Sequence, residues 1–158
     1  MSTVVHINGA RHEIDAHEQR LLLDILRNEL GLKGSHFGCG EGNCGACMVL
    51  VDEVPAYACN TPLWSVAGKQ VLTVEGLAGH PVGARVQRAF IKHGAAQCGY
   101  CTSGMVVAAA GLLVACPAPD GRQIREQMDR NLCRCGSHLR VIRAIGDAAA
   151  DTGVGGGS

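Results

Sequence analysis

Eight of the nine cysteines in this chain of 158 residues fall into two quartets. A chain that must gather four thiolates twice over has few folds open to it. The first quartet reads Cys39-x4-Cys44-x2-Cys47, then Cys59; the second reads Cys98-x2-Cys101, then the tight pair Cys133-Arg134-Cys135. A [2Fe–2S] cluster takes four thiolates, and an x4, x2 loop with a distant fourth cysteine is the plant-type spacing for one. Structural zinc sites present two short Cys-x2–4-Cys knuckles instead. Here three cysteines share one glycine-rich block and the fourth stands apart, so a zinc-stapled interaction module is the weaker reading. Two clusters in so short a chain make it chiefly a conductor of electrons.

The residues between the first three cysteines suit that role. A backbone that wraps an anionic cluster must point N–H groups at sulfur from close range. Gly38, Gly40, Gly42 and Gly45 permit the positive φ values this needs. Such N–H···S contacts, with cluster charge and exposure, set a reduction potential. In the second quartet, Cys98 and Cys101 precede one predicted helix with Thr102 or Ser103 as N-cap. Cys133 and Cys135 precede another with Ser137 as N-cap. Two helix N-termini would then converge on one cluster and stabilise its thiolates. Cys116, the ninth thiol, ends an apolar run and reads as a buried spare. His36 and His138 lie near the two loops, where each is a polar loop residue or a tuner of potential. Trp64 and Tyr57 are expected in a core or an interface.

Composition narrows the function further. The 14 Lys+Arg balance 14 Asp+Glu, and there are five aromatic residues, so nothing tracks a phosphate backbone or stacks bases and nucleic acid is not a partner. The longest apolar run, 105–116, is a core helix and too short to span a bilayer. No charged segment followed by an apolar one opens the chain. Cytoplasmic assembly is therefore expected, with any periplasmic or membrane-associated destination reached through a partner. No nucleophile elbow, phosphate loop or dinucleotide fingerprint is present, so no catalytic residue is assigned.

Periodicity divides the chain in two. Strands around 4–6 and 12–14 flank Asn8-Gly9, a type I′ hairpin dipeptide. Leu21, Leu22, Ile25, Leu26 and Leu30 recur at helical spacing, with Gly31 as C-cap. Strands are predicted at 48–51 and 70–74. This order makes residues 1–76 a small α+β domain of the β-grasp type. Gly76, Gly79, Pro81 and Gly83 mark 77–83 as a linker. Helices predicted at 84–93, 102–116, 121–131 and 138–149 form a bundle in 84–150, and 151–158 is a glycine-rich, flexible tail.

Four motifs in this order are similar to a known family: His36-Phe37-Gly38-Cys39-Gly40-x-Gly42-x-Cys44-Gly45-Ala46-Cys47, Thr73-Val74-Glu75-Gly76-Leu77, Gln97-Cys98-Gly99-Tyr100-Cys101-x-x-Gly104-Met105 and Asn131-Leu132-Cys133-Arg134-Cys135-Gly136. They resemble the iron–sulfur small subunit of the xanthine oxidase family of molybdenum hydroxylases, over about residues 3–148. The resemblance implies an α+β fold: a plant-ferredoxin-like domain holding one [2Fe–2S] cluster through Cys39, Cys44, Cys47 and Cys59, then a four-helix domain holding another through Cys98, Cys101, Cys133 and Cys135. It implies a large partner subunit that carries molybdopterin, in its cytosine dinucleotide form, and oxidises an N-heterocycle or aldehyde with oxygen from water. Electrons would pass from there to the helical-domain cluster and then to the other. Gln97 and Cys135 would lie at the pterin.

Members that feed a flavin usually read Cys-Thr-Pro-Gly-Met and Cys-Arg-Cys-Thr-Gly-Tyr. This chain reads Cys101-Thr102-Ser103-Gly104-Met105 and Cys133-Arg134-Cys135-Gly136-Ser137-His138. That is more similar to the isoquinoline 1-oxidoreductase and nicotinate dehydrogenase type, which implies a cytochrome c-type acceptor. The alternatives are a component of a flavin-dependent member with an FAD subunit, or a freestanding two-cluster ferredoxin. Soluble shuttles commonly carry a marked net charge for steering, and this chain has none.

Overall fold

A computed structural model describes residues 2–17 and 19–151. Asn8 (φ 52°) and Gly9 (φ 83°) make the expected turn between antiparallel strands β1 (Ser2–Ile7) and β2 (Ala10–Asp15). The helix expected from the leucine spacing is a short α segment, α1 (Leu22–Asp24), that widens into a π turn (Ile25–Glu29). Gly31 closes it at φ 69°, and the Leu32 N–H donates to the Leu26 carbonyl at 2.8 Å. β3 (Met48–Val51) pairs with β5 (Gln70–Leu72) and with β4 (Val54–Tyr57), a strand not predicted from the sequence. The sheet runs β2-β1-β5-β3-β4, with β1 parallel to β5.

Strand β3 is buried on both faces, and that one fact joins the two halves. Cys47 and Val49 face a core with Leu22, Ile25, Leu26, Leu63 and Val71. Met48 and Leu50 face a second core built by the helices. Those helices are α2 (Pro81–Lys92), α3 (Thr102–Ala115), α4 (Gly121–Met128) and α5 (His138–Ala150). α3 is apolar around its whole circumference, as a helix enclosed on all sides must be. Its Gly104 and Gly111, two turns apart, let it lie against Gly45 and Pro55 of the first half. No helix among the described residues is long and apolar enough to cross a membrane.

Two boundaries differ from expectation for identifiable reasons. Strand β5 stops at Leu72 because the Thr73 N–H leaves the ladder to donate to Asn8 Oδ1 at 2.9 Å. The stretch 77–83, expected as a linker, is folded. A 3-10 turn (Val74–Gly79) buries Leu77 in the helical core, and α2 begins at Pro81 rather than 84. Pro81 takes the first helical position, where its missing N–H costs nothing, and His80 Nδ1 accepts the Gly83 N–H at 3.2 Å as N-cap. Glycine and proline signal loops, but they also signal helix starts. The expected tail lies outside the described residues except for Asp151.

Glu75 ties this turn to the cysteine loop. Its carboxylate accepts from Thr73 Oγ1 at 2.6 Å and from the Gly34 N–H at 2.7 Å. Burial alone would raise its pKa, yet those two donors hold it below the ordinary carboxylate value. A carboxyl depressed in the folded state adds stability above its ordinary value and loses it as pH falls through the lower, folded one. Glu75→Gln is therefore expected to flatten the decline of the melting temperature below about pH 4.5. An unchanged acid limb in the variant would contradict the role.

Candidate metal centres

The first quartet sits in a nest of backbone donors. Residues 39–47 form a loop with Gly40, Gly42 and Gly45 at φ 72°, 72° and 78°. The turns aim the N–H groups of Glu41, Asn43 and Cys44 at Cys39 Sγ, at 3.4, 3.2 and 3.3 Å. The Gly42 N–H donates to Cys59 Sγ at 3.3 Å, the Cys39 N–H to Cys44 Sγ at 3.4 Å, and the Cys59 N–H to Cys47 Sγ at 3.4 Å. Cys59 arrives from a 3-10 turn (Ala58–Asn60) that follows β4. At Gly38 a Cβ would meet Cys44 Sγ at 2.6 Å, so the chain there has room for glycine alone.

These surroundings split the thiols. Donors from Glu41, Asn43 and Cys44 lower Cys39 to about 6, so it is largely a thiolate at neutral pH. Burial pushes Cys47 up to about 12. Cys39 and Cys44 form one hydrogen-bonded couple, Cys47 and Cys59 another. A binuclear cluster asks for two thiolates on each iron, and the donor set, N–H groups on sulfur and a glycine-lined approach, fits one. No group of three or more His, Cys, Asp or Glu side chains among the described residues gathers round a single-ion site.

The second quartet is held in two halves. Cys98 and Cys101 lie on the turn before α3, with Cys98 exposed and Cys101 half-buried. Cys133 is half-buried and Cys135 exposed, on the segment before α5. The predicted N-caps differ from expectation. Cys101 occupies the cap position of α3 with no side-chain bond, Ser103 Oγ turns to His36, and the buried Thr102 Oγ1 has no hydrogen-bond partner among the described residues. Ser137 does stand at the cap of α5, but its N–H (3.4 Å) and hydroxyl (3.2 Å) are spent on Cys133 Sγ. Burial pushes Cys133 up, and the Ser137 hydroxyl and N–H bring it down to about 6. Burial first, then Cys133 beside it, raises Cys101 to about 11. At α5 the helix end thus supplies a donor to a thiol, the Ser137 N–H on Cys133 Sγ, whereas the predicted side-chain caps of α3 take no part.

Between the quartets lies a cavity of about 220 Å³ lined by Gly38, Cys44, Cys98, Cys101, Leu132 and Arg134. The Leu132 N–H donates to the Cys44 carbonyl at 2.8 Å, joining the residue before Cys133 to a residue of the first quartet. Asn131 Nδ2 donates to the Gly45 carbonyl at 3.2 Å. Tyr57, half-buried rather than lost in one core, donates to the Arg130 carbonyl at 3.3 Å, with the Arg130 guanidinium 5.2 Å from its ring centre. Arg130 does not stand out in the sequence, and Asn131 does so only as the first residue of the Asn-Leu-Cys-Arg-Cys-Gly motif, with no role attached to it. Gln97 is exposed beside Cys98. Trp64 is 55% exposed and so no core residue. Cys116 is half-buried, with its thiol 3.9 Å from Gln123 Oε1. His138 Nε2 donates to the Asn131 carbonyl at 2.9 Å, bracing the segment that carries Cys133 and Cys135.

Comparison with known proteins agrees with this architecture. A family described as "2Fe-2S iron-sulfur cluster binding domain" matches residues 5–72, and one described as "[2Fe-2S] binding domain" matches residues 73–146. The chain is 46% identical over 145 residues to a subunit of nicotinate dehydrogenase from Pseudomonas putida, covering 92% of each chain. It is 47% identical over 137 residues to the alpha subunit of isoquinoline 1-oxidoreductase from Brevundimonas diminuta, covering 85% of this chain and 88% of that one. Among solved structures, the aldehyde oxidoreductase from Desulfovibrio gigas superposes with a TM-score of 0.87 at 38% identity. That match covers 95% of this chain and 17% of the larger one.

Proposed function

Because the chain belongs to the iron–sulfur small subunits of the xanthine oxidase-family molybdenum hydroxylases, we propose that it takes electrons at its 97–101 and 133–136 loops and delivers them from its 39–47 loop. Its place is in an oxidoreductase complex whose substrate chemistry resides in a large molybdopterin-binding partner. Cys39, Cys44, Cys47 and Cys59 hold the first cluster; Cys98, Cys101, Cys133 and Cys135 hold the second. Each cluster, when bound, supplies a reversible one-electron centre. The division into domains near residue 76 is supported by the two family matches, which meet between 72 and 73.

The observation that carries this reading is the pairing of one sheltered and one surface quartet through the Cys44–Leu132 hydrogen bond. Cys47 and Cys59 are buried, which keeps water from that side of the first quartet, and the N–H groups on Cys39 offset its negative charge. Cys98, Cys135 and Gln97 are exposed, where a partner's pterin can approach them. An N-heterocycle is the favoured substrate class, supported by the names of the relatives that are 46% and 47% identical. We further propose a cytochrome c-type acceptor, since Ser103 and the run Gly136-Ser137-His138 depart from the loops of flavin-feeding members, together with a cytosine dinucleotide pterin and cytoplasmic assembly.

Purification of the native complex through this chain tests the reading. A co-purifying molybdopterin subunit, about four irons on this chain and a cytochrome are the expected result. A flavoprotein in place of the cytochrome would overturn the acceptor. About two irons, or zinc, would overturn the two-cluster assignment.

A further inference from the structure

The two halves of the second quartet are anchored separately, and both anchors land on the first-cluster loop. The half with Cys133 and Cys135 is tied by the Leu132 and Asn131 bonds to Cys44 and Gly45. The half with Cys98 and Cys101 has another attachment. The His36 ring stacks on the Tyr100 ring, with centres 4.5 Å apart and planes 18° from parallel. His36 Nδ1 lies 2.7 Å from the Tyr100 carbonyl. A carbonyl only accepts, so Nδ1 carries the proton and donates. The Tyr100 hydroxyl donates back to the Phe37 carbonyl. Ser103, in the first turn of α3, lies 3.4 Å from the same Nδ1.

Two further hydrogen bonds of this turn are local: the Thr102 N–H to the Gly99 carbonyl and the Met105 N–H to the Cys101 carbonyl. Apart from the thiol contact between Cys101 and Cys133, the tertiary hydrogen bonds of the turn among the described residues run through Tyr100 to residues 36 and 37. Gly99, at φ 85°, adds no side chain to hold it. His36 is itself fixed to the loop, its N–H donating to the Ala46 carbonyl at 3.0 Å.

We propose that His36 and Tyr100 are positioning residues that clasp the Cys98–Cys101 turn to the 36–47 loop and thereby set how strongly the two clusters couple. The proposal rests on the two-cluster reading above. A stack with two opposed hydrogen bonds fixes distance and orientation together, which one contact cannot do. Loosening it lets half of the second site move while the half anchored by Leu132 stays in place.

The test is low-temperature EPR of the reduced, full-length chain. Two reduced [2Fe–2S] centres on loops that hydrogen-bond directly to one another are expected to split one another's signals, and that interaction falls steeply with separation. Wild type is expected to show two signals with the splitting. His36→Ala and Tyr100→Ala are expected to keep about four irons and lose most of the splitting. His36→Phe keeps the stack without the donor, and Tyr100→Phe keeps the stack without the hydroxyl; each is expected to lose part. Wild-type splitting in all four variants would overturn the clasp. Should the alanine variants lose the second signal outright, the phenylalanine variants decide: reduced splitting supports the clasp, unchanged splitting overturns it. A single signal in wild type would instead overturn the two-cluster reading, and the clasp with it.

Discussion

Cys59→Ala is expected to leave the chain with about two irons instead of about four and to lower its melting temperature by roughly 10 °C or more. Cys98→Ala is expected to cost the same two irons and far less stability. The asymmetry follows from where each thiol sits. Cys59 and Cys47 are built into the first core beside Leu22, Ile25, Leu26 and Leu63. The 39–47 loop spends six N–H···S bonds, counting that of Cys59 itself, on the sulfurs of its quartet. A metal site that forms only in the folded state contributes its binding free energy to folding. Without the cluster this loop, with three glycines at positive φ, keeps little that prefers its folded shape. Cys98 is exposed, and the helices on either side of it pack through Val86, Phe90, Met105 and Val106 without help from the thiol. Iron content and redox-resolved EPR read the first effect, and thermal unfolding of the same samples reads the second. Equal thermal losses would mean that the clusters are not unequal structural parts; undiminished iron in either variant would remove that cysteine from the ligand set.

The fold class is legible in the sequence because its signals are local. Asn8-Gly9 has one low-energy use between two strands, and the apolar run 105–116 places α3 within one residue of its observed end. Where local signals have two meanings, the reading fails. Pro81 and its neighbouring glycines look like a linker, and only the His80 cap and the burial of Leu77 make them a helix start. Val54–Tyr57 is hard to see as a strand because Pro55 lies within it, and edge strands tolerate proline where central ones do not. Of the candidate site, the thiols and glycines are visible as spacing. What joins the two quartets is not, since it pairs residues far apart in the chain: His36 with Tyr100, Cys44 with Leu132, Gly45 with Asn131. Each of these residues stands in one of the four motifs, but no spacing says which of them meets which. The resemblance to a family implies that the loops meet, without saying which atoms hold them together.

A still closer approach at the same Gly45, that of Gly104 in α3, makes the second large prediction. A Cβ placed on Gly104 would lie 2.0 Å from the Gly45 carbonyl oxygen, 3.0 Å from its carbon and 3.2 Å from the Ala46 Cα. All three are backbone atoms, so no rotamer change relieves the clash. Gly45 cannot easily retreat. It holds φ 78°, and its carbonyl accepts from the Met48 N–H at 3.2 Å and from Asn131 Nδ2 at 3.2 Å. Helix propensity alone would make Gly104→Ala favourable by about 1 kcal/mol; the overpacking opposes it by about 3 kcal/mol or more. The variant is therefore expected to lose about 2 kcal/mol in denaturant unfolding, and to shift both EPR signals as the loop between the quartets moves. Gly146→Ala supplies the contrast. Gly146 is an exposed position of α5, and a Cβ there would meet no neighbouring atom within 4 Å, so the same substitution is expected to stabilise by up to about 1 kcal/mol. Opposite signs from one chemical change would locate the effect in the contact between α3 and the first-cluster loop. Two gains would show that the loop yields freely, and that the two halves are not held as closely as Gly45 and Gly104 require.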